Sequence, residues 1–167
     1  ARWKEEAREF DFAISSPLSR TRKTAEIVAE ILGLKLEFDP IWMERNNGEI
    51  AGLKHEEGHK LFPQPRFRNP YEAIAGSGEG DWELFLRAGQ ALHGLLVREP
   101  GRYLIVSHGG LLNQVIKAIT GVAPHANYQG PQFRFENTAF AKATYMPDYH
   151  RWYIEGLNDR NHWRDDE

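Results

Sequence analysis

What most restricts the fold of this chain is an alternation of short apolar runs with helical patterns, joined by polar junctions. Phe10-Asp11-Phe12-Ala13-Ile14 leans toward a strand, and Ser15-Ser16-Pro17 halts it. Proline is favoured at a first helical position with serine just before it, so Ser16-Pro17 marks a helix start. That helix runs on through residues 24–32, with Ile27, Val28 and Ile31 at core spacing, and Gly33 closes it. Leu34-Lys35-Leu36-Glu37-Phe38 then alternates as a strand does. A second unit follows: a helical pattern over 82–97, a break at Pro100-Gly101, the buried run Tyr103-Leu104-Ile105-Val106, the junction Ser107-His108-Gly109-Gly110, and a helix over 111–120. Residues 133–146 and 152–154 add β-leaning runs, and residues 1–9 read as the end of a helix. Strands alternating with helices predict an α/β fold, a three-layer α/β/α sandwich with a mostly parallel sheet.

At 167 residues this is a single domain, 1–167, large enough to bury a sizeable core. The 21 Lys+Arg against 24 Asp+Glu leave a net charge of −3, so no basic field attracts nucleic acid. No apolar run approaches the roughly 18 residues of a membrane span. The absence of cysteine removes disulfides, thiolate catalysis and Cys-ligated metal, and fits a reducing, cytoplasmic setting. The charged opening Ala1-Arg2-Trp3-Lys4-Glu5-Glu6-Ala7 does not read as a signal peptide.

In open α/β sheets, ligands bind at the carboxyl ends of the strands, where helix N-termini present unpaired N–H groups suited to phosphate. Both strand-to-helix junctions carry polar residues there. Arg20 can supply a planar two-pronged donor to phosphoryl oxygens, Gly109 and Gly110 let backbone approach a ligand, and His108 sits at a strand tip. A solvated arginine and a helix-capping histidine are the bland alternatives. Glu44, between a strand and a turn, is placed to act as general acid to a leaving oxygen, or is simply solvated.

Taken together, these residues resemble the histidine phosphatase superfamily, the phosphoglycerate-mutase-like proteins. Ser16-Pro17-Leu18-Ser19-Arg20-Thr21-Arg22-Lys23-Thr24-Ala25 is similar to its S-P-L-x-R-A-x-x-T-A signature, with Thr21 in place of alanine. Glu44 to Gly52 resembles its E-x-x-x-G-x-x-x-G segment. Gly78-Glu79-Gly80 with Phe85-Leu86-Arg87 resembles its G-E-S…F…R stretch, Gly80 standing where serine is usual. Val106-Ser107-His108-Gly109-Gly110 is similar to V-S-H-G-G, and the order holds down to Leu157-Asn158-Asp159.

The resemblance implies phosphomonoester hydrolysis through a phosphohistidine, without metal or other cofactor. Arg20 and His108 would bind the phosphoryl group, with Gly109 and Asn137 beside it, and Glu44 would protonate the leaving group. The family's first strand carries Arg-His-Gly with the nucleophilic histidine. The order of motifs here starts after that point, so the domain is expected to lack its first strand, with the nucleophile ahead of Ala1. A catalytically silent phosphate-binding module is the reading if nothing precedes Ala1. Phosphoglycerate-mutase-type transfer is the other alternative, disfavoured because the chain stops soon after Leu157-Asn158-Asp159 without a long tail over the site.

Residues 54–81 show neither helical nor strand period and are punctuated by Pro63, Pro65, Pro70, Gly76, Gly78 and Gly80. They read as an insertion or lid that selects the substrate, with Arg66 and Arg68 as candidates to steer anions. Within them His55-Glu56-Glu57-Gly58-His59 matches H-E-x-x-H, a zinc-hydrolase signature with Glu79 as a third ligand. Gly58 and the prolines leave little helix to hold that geometry, so no metal site is expected. Trp3, Trp42, Trp82, Trp152 and Trp163 read as core or rim packing, and His93 as a packed or surface histidine. The expected partner is a small phosphorylated substrate, not nucleic acid or membrane, with a homodimer left open.

Overall fold

The computed structural model describes residues 9–162 throughout, together with Trp3 and Glu6. The predicted helix end over 1–9 and the packing of Trp163 therefore fall outside the described residues, apart from Trp3, whose ring meets Phe10 and Phe140 edge-on at 5.5 and 5.3 Å.

Strand β1 (Phe12–Ser15) is buried along Ala13, Ile14 and Ser15, as a strand covered on both faces must be. It pairs in parallel with β2 (Leu36–Phe38) on one side and with β3 (Tyr103–Val106) on the other, giving the order β2-β1-β3. Helix α1 (Ser19–Leu32) connects β1 to β2 and lies against β1, β2 and β3. Gly33 ends it at φ 68°, a left-handed conformation that glycine adopts without strain, and its N–H reaches the Ala29 and Glu30 carbonyls. The short α2 (His55–Leu61), α3 (Asp81–Leu96) and α4 (Gly109–Thr120) follow. Strands β4 (Phe140–Met146) and β5 (Arg151–Asp159) form a separate antiparallel pair. Among the described residues no helix is long and apolar enough to cross a membrane.

The main core joins Ile14 of β1 to Leu84, Ala88, Ala91 and Leu92 of α3, Leu111 and Val115 of α4, and Trp42; Trp152 of β5 packs on its edge. Ile14 points toward α3 and α4, so the pleat turns Ala13 to the opposite face, where α1 lies. The three layers predicted from the alternation are thus present.

Three expectations are revised. Ile27 and Ile31 do not enter the core: they are 51% and 41% exposed, while Thr21, Ala25 and Ala29 form the buried stripe. Ile27 lies about 200° around the helix from Ala25, and the alanines win the inner face because they let the helix approach the sheet closely. Helix α1 also starts at Ser19, not Pro17, because the backbone at Leu18 is still extended, at φ −63° and ψ 138°. Finally, the 54–81 segment is not wholly irregular, since its first residues form α2.

Candidate functional site

In-register pairing of Ser15 with Val106 brings the polar ends of β1 and β3 out at the same sheet edge, and the Ser16 N–H extends the ladder to the Val106 carbonyl at 3.0 Å. Ser16 is fully buried there and His108 nearly so. The His108 Nε2 lies 2.8 Å from the Ser16 Oγ and 3.5 Å from the Thr21 Oγ1. The Thr21 hydroxyl donates to the Leu18 carbonyl at 2.9 Å. Burial holds the His108 imidazole below its ordinary pKa, and the nearby Arg20 guanidinium pushes the same way; Glu44 partly opposes them and Arg87 adds to the lowering. Arg20 itself, exposed on the first turn of α1, has no ion pair among the described residues and is free to meet an anion.

Glu44 reaches the same place from the loop after β2. Its Oε2 accepts the Gly110 N–H at 3.1 Å, and its Oε1 accepts those of Leu111 and Arg45 at 3.2 and 2.9 Å. The carboxyl therefore sits on the N-terminus of α4, one turn or less from His108, where the helix dipole favours an oxygen-rich group. A Cβ on Gly110 would lie 3.0 Å from the Glu44 Cδ, so any side chain there would push the carboxyl aside.

The backbone carrying Glu44 is anchored by Arg87 of α3. Its guanidinium grips both Glu79 oxygens at 2.7 Å and donates to the Ile41, Met43 and Glu44 carbonyls at 2.8, 2.8 and 3.3 Å. Ser107 adds a 2.8 Å bond to the Trp42 carbonyl, tying the tip of β3 to the same loop. Gly48, at φ 60°, crosses so close to residues 75–78 that a Cβ would lie 2.8 Å from the Ala75 carbonyl oxygen. Sequence reasoning singled out Glu44 but assigned no role to Arg87, Ser16 or Thr21. The Gly78-Glu79 to Arg87 spacing was the available signal, since it places acid and arginine two turns apart at a helix start.

Gly109 is exposed beside the Phe135 carbonyl, and Asn137 is exposed in a turn closed by the Ala139 N–H to Glu136 at 3.1 Å. Gly109 lies in the chain between His108 and the Gly110 that holds Glu44, whereas among the described residues Asn137 makes no hydrogen bond to Arg20, Glu44 or His108. Arg66 is exposed. Arg68 is not free to steer a substrate: it pairs with Asp81 at 3.3 Å and lies over the Tyr128 ring at 4.7 Å. Gly80, where serine is usual, has the Glu72 carbonyl oxygen 2.7 Å from the position of a Cβ, so a side chain does not fit; Glu83 caps α3 instead by accepting the Gly80 N–H at 2.8 Å.

For the zinc alternative the structure brings the two histidines together but supplies no third ligand among the described residues. Contrary to expectation, α2 forms and holds the His55 and His59 Nε2 atoms 3.2 Å apart. The proposed third ligand, Glu79, is instead committed to Arg87, and among the described residues no group of three His, Asp or Glu side chains gathers around one point.

The sequence matches the histidine phosphatase superfamily (branch 1) over residues 1–160. It is 30% identical over 158 residues to a probable phosphoglycerate mutase, GpmB of Yersinia enterocolitica, covering 89% of this chain and 71% of that protein. Among solved structures, the mycobacterial glucosyl-3-phosphoglycerate phosphatase with inorganic phosphate superposes with a TM-score of 0.74 at 23% identity, over 93% of this chain and 80% of that one. YhfR of Bacillus stearothermophilus gives 0.75 at 21% identity, over 95% and 79%. At such identities the two structures establish the fold, and the sequence match establishes the family. With the S-P-L-x-R, E-x-x-x-G and S-H-G-G segments converging on one end of a parallel sheet, the chain belongs to the histidine phosphatase superfamily, branch 1.

Proposed function

We propose that this protein hydrolyses small phosphate monoesters without a metal, by way of a phosphohistidine. The superfamily is one of phosphatases and mutases, which places the chain among enzymes of phosphoryl transfer. The observation that carries the finer reading is the seating of the Glu44 carboxyl on Gly110 and Leu111, at the start of the helix that His108 begins. It sets a carboxyl group beside the residues that would cradle the phosphoryl group, which supports Glu44 as the acid of this reading.

In this reading Arg20 and His108 hold the phosphoryl oxygens. A histidine nitrogen forms a bond to phosphorus as the ester P–O bond breaks, and Glu44 gives its proton to the departing oxygen. Water then attacks the phosphohistidine and releases inorganic phosphate, its proton passing to Glu44. Splitting the displacement in two gives each half an easier barrier. A mutase would instead return the phosphoryl group to a second position on the substrate, a reading favoured by the identity to GpmB.

The test is release of inorganic phosphate from alkyl and aryl phosphates, with and without a chelator, by protein whose intact mass has been measured. Chelator-resistant release, with acid-labile phosphate on the quenched chain, is the expected result. Stoichiometric isomerisation without release would favour the mutase, and neither outcome would overturn both.

A further inference from the structure

His55 and His59 belong to a motif that the candidate phosphoryl site leaves unused. Both side chains are exposed on α2, one helical turn apart, and their Nε2 atoms face each other at 3.2 Å. The rings meet edge to face, with centroids 4.3 Å apart. Spacing of four residues puts two side chains on one face of a helix, but it does not by itself make the same nitrogen of each ring converge.

The separation is that of two ligands on one metal ion. Zinc–nitrogen bonds of about 2.0–2.1 Å at a tetrahedral angle hold two nitrogens about 3.3–3.4 Å apart. Bonds of the same length at the right angle of a tetragonal copper or nickel ion hold them about 2.9 Å apart. The 3.2 Å observed falls between these values. Imidazole suits all three ions. Charge is no obstacle, because Lys54 and Lys60 offset Glu56 and Glu57 in the same stretch.

We propose that His55 and His59 form an exposed two-histidine site for a divalent transition cation, which bridges the first turn of α2 and orders it. Each ring carries its proton on Nδ1 and gives its Nε2 lone pair to the cation. Among the described residues no third His, Asp or Glu side chain gathers there, so water fills the other positions. A catalytic zinc site has three protein ligands, so this site is no hydrolytic centre and stands apart from the phosphatase reading. The bridge matters because α2 has only seven residues, with Gly58 in its interior and no buried side chain. A helix this short is marginal in water, and an interior glycine weakens it further. The helix leans on the segment after Glu44 through Ile50, whose Cγ2 lies 3.6 Å from where a Cβ on Gly58 would be. Cation binding thus orders the start of the 54–81 segment.

The test uses the full chain, free of any histidine tag and stripped with a chelator. Zinc chloride is titrated in by calorimetry, and the histidine ring signals are followed by NMR. One equivalent should bind, with the His55 and His59 signals moving together. Affinity should fall by about tenfold or more in His55→Gln and in His59→Gln, since one of two protein ligands is gone, and should be unchanged in His93→Gln. Both substituted side chains are exposed, so neither variant threatens folding. Amide hydrogen exchange over residues 55–61 should slow when zinc is added and stay as it was in the two variants. No saturable binding, or binding that both variants leave intact, overturns the site. Zinc held by both rings without slower exchange over 55–61 overturns the ordering of α2.

Discussion

Glu44 and Gly110 are fitted to each other: the glycine N–H meets the Glu44 Oε2 at 3.1 Å, and the missing Cβ leaves room for the carboxyl. Two segments far apart in the chain are thereby joined through one carboxyl group at the start of the helix that follows His108. Gly110→Ala should displace the carboxyl while keeping the helix, lowering kcat for alkyl phosphates by about 10²-fold with a smaller change in KM, in line with the contribution of a placed general acid. A kinetic comparison of the variant with wild type on one alkyl phosphate checks it, and unchanged kcat would detach Glu44 from the chemistry.

Glu44→Gln keeps the shape and removes the transferable proton. Turnover of alkyl phosphates should fall by about 10²- to 10⁴-fold, because an alkoxide is a poor leaving group, while p-nitrophenyl phosphate should lose far less. The diagnostic is the ratio of the two rates; equal losses on both substrates would point to a binding role.

Arg87 bridges Glu79 and the carbonyls of Ile41, Met43 and Glu44. Arg87→Met leaves a half-buried carboxylate and those carbonyls short of donors, and should cost about 2 kcal/mol or more in urea unfolding. The double variant Arg87→Met with Glu79→Gln should recover part of that loss. No recovery would mean the backbone anchors, not the ion pair, carry the stability.

His108 makes stability pH-dependent with a definite sign. Its folded pKa lies below the unfolded value, so the unfolded chain binds the extra proton more readily. The folded state is therefore unpenalised above about pH 6.5 and loses stability as pH falls below it. Melting at pH 8 and pH 5.5 should show this loss in wild type and a smaller one in His108→Gln.

At Gly80, restoring the serine usual in the family should destabilise this chain, since the new Cβ would press on the Glu72 carbonyl. Gly80→Ser is expected to cost about 1–3 kcal/mol, the range for overpacking, read as a lower melting temperature. A gain in stability would show that residues 72–73 move aside easily.

Much of this was legible in the chain itself. Short apolar runs, Gly33 as a helix stop and the two polar junctions follow from local chemistry, which acts over a few residues and so leaves its mark on the sequence. The pattern around Ser16, Arg20, Glu44 and His108 was equally visible as a resemblance. Which face of α1 turns inward was not: Ile27 and Ile31 look like core, but Ala25 and Ala29 allow the closer approach to the sheet. Nor did loop composition show that Arg68 would be spent on Asp81, or that Lys117, an ordinary helical lysine by sequence, would be enclosed. Such outcomes depend on which distant segments meet, 45 against 81 and 44 against 110, and burial is a property of that meeting. The sequence by itself determined the strands and long helices of the α/β layers, their order and the residue types at the site, though not the short α2. The tertiary structure alone decided which of those residues share a boundary, because packing and desolvation arise only once the chain has closed on itself.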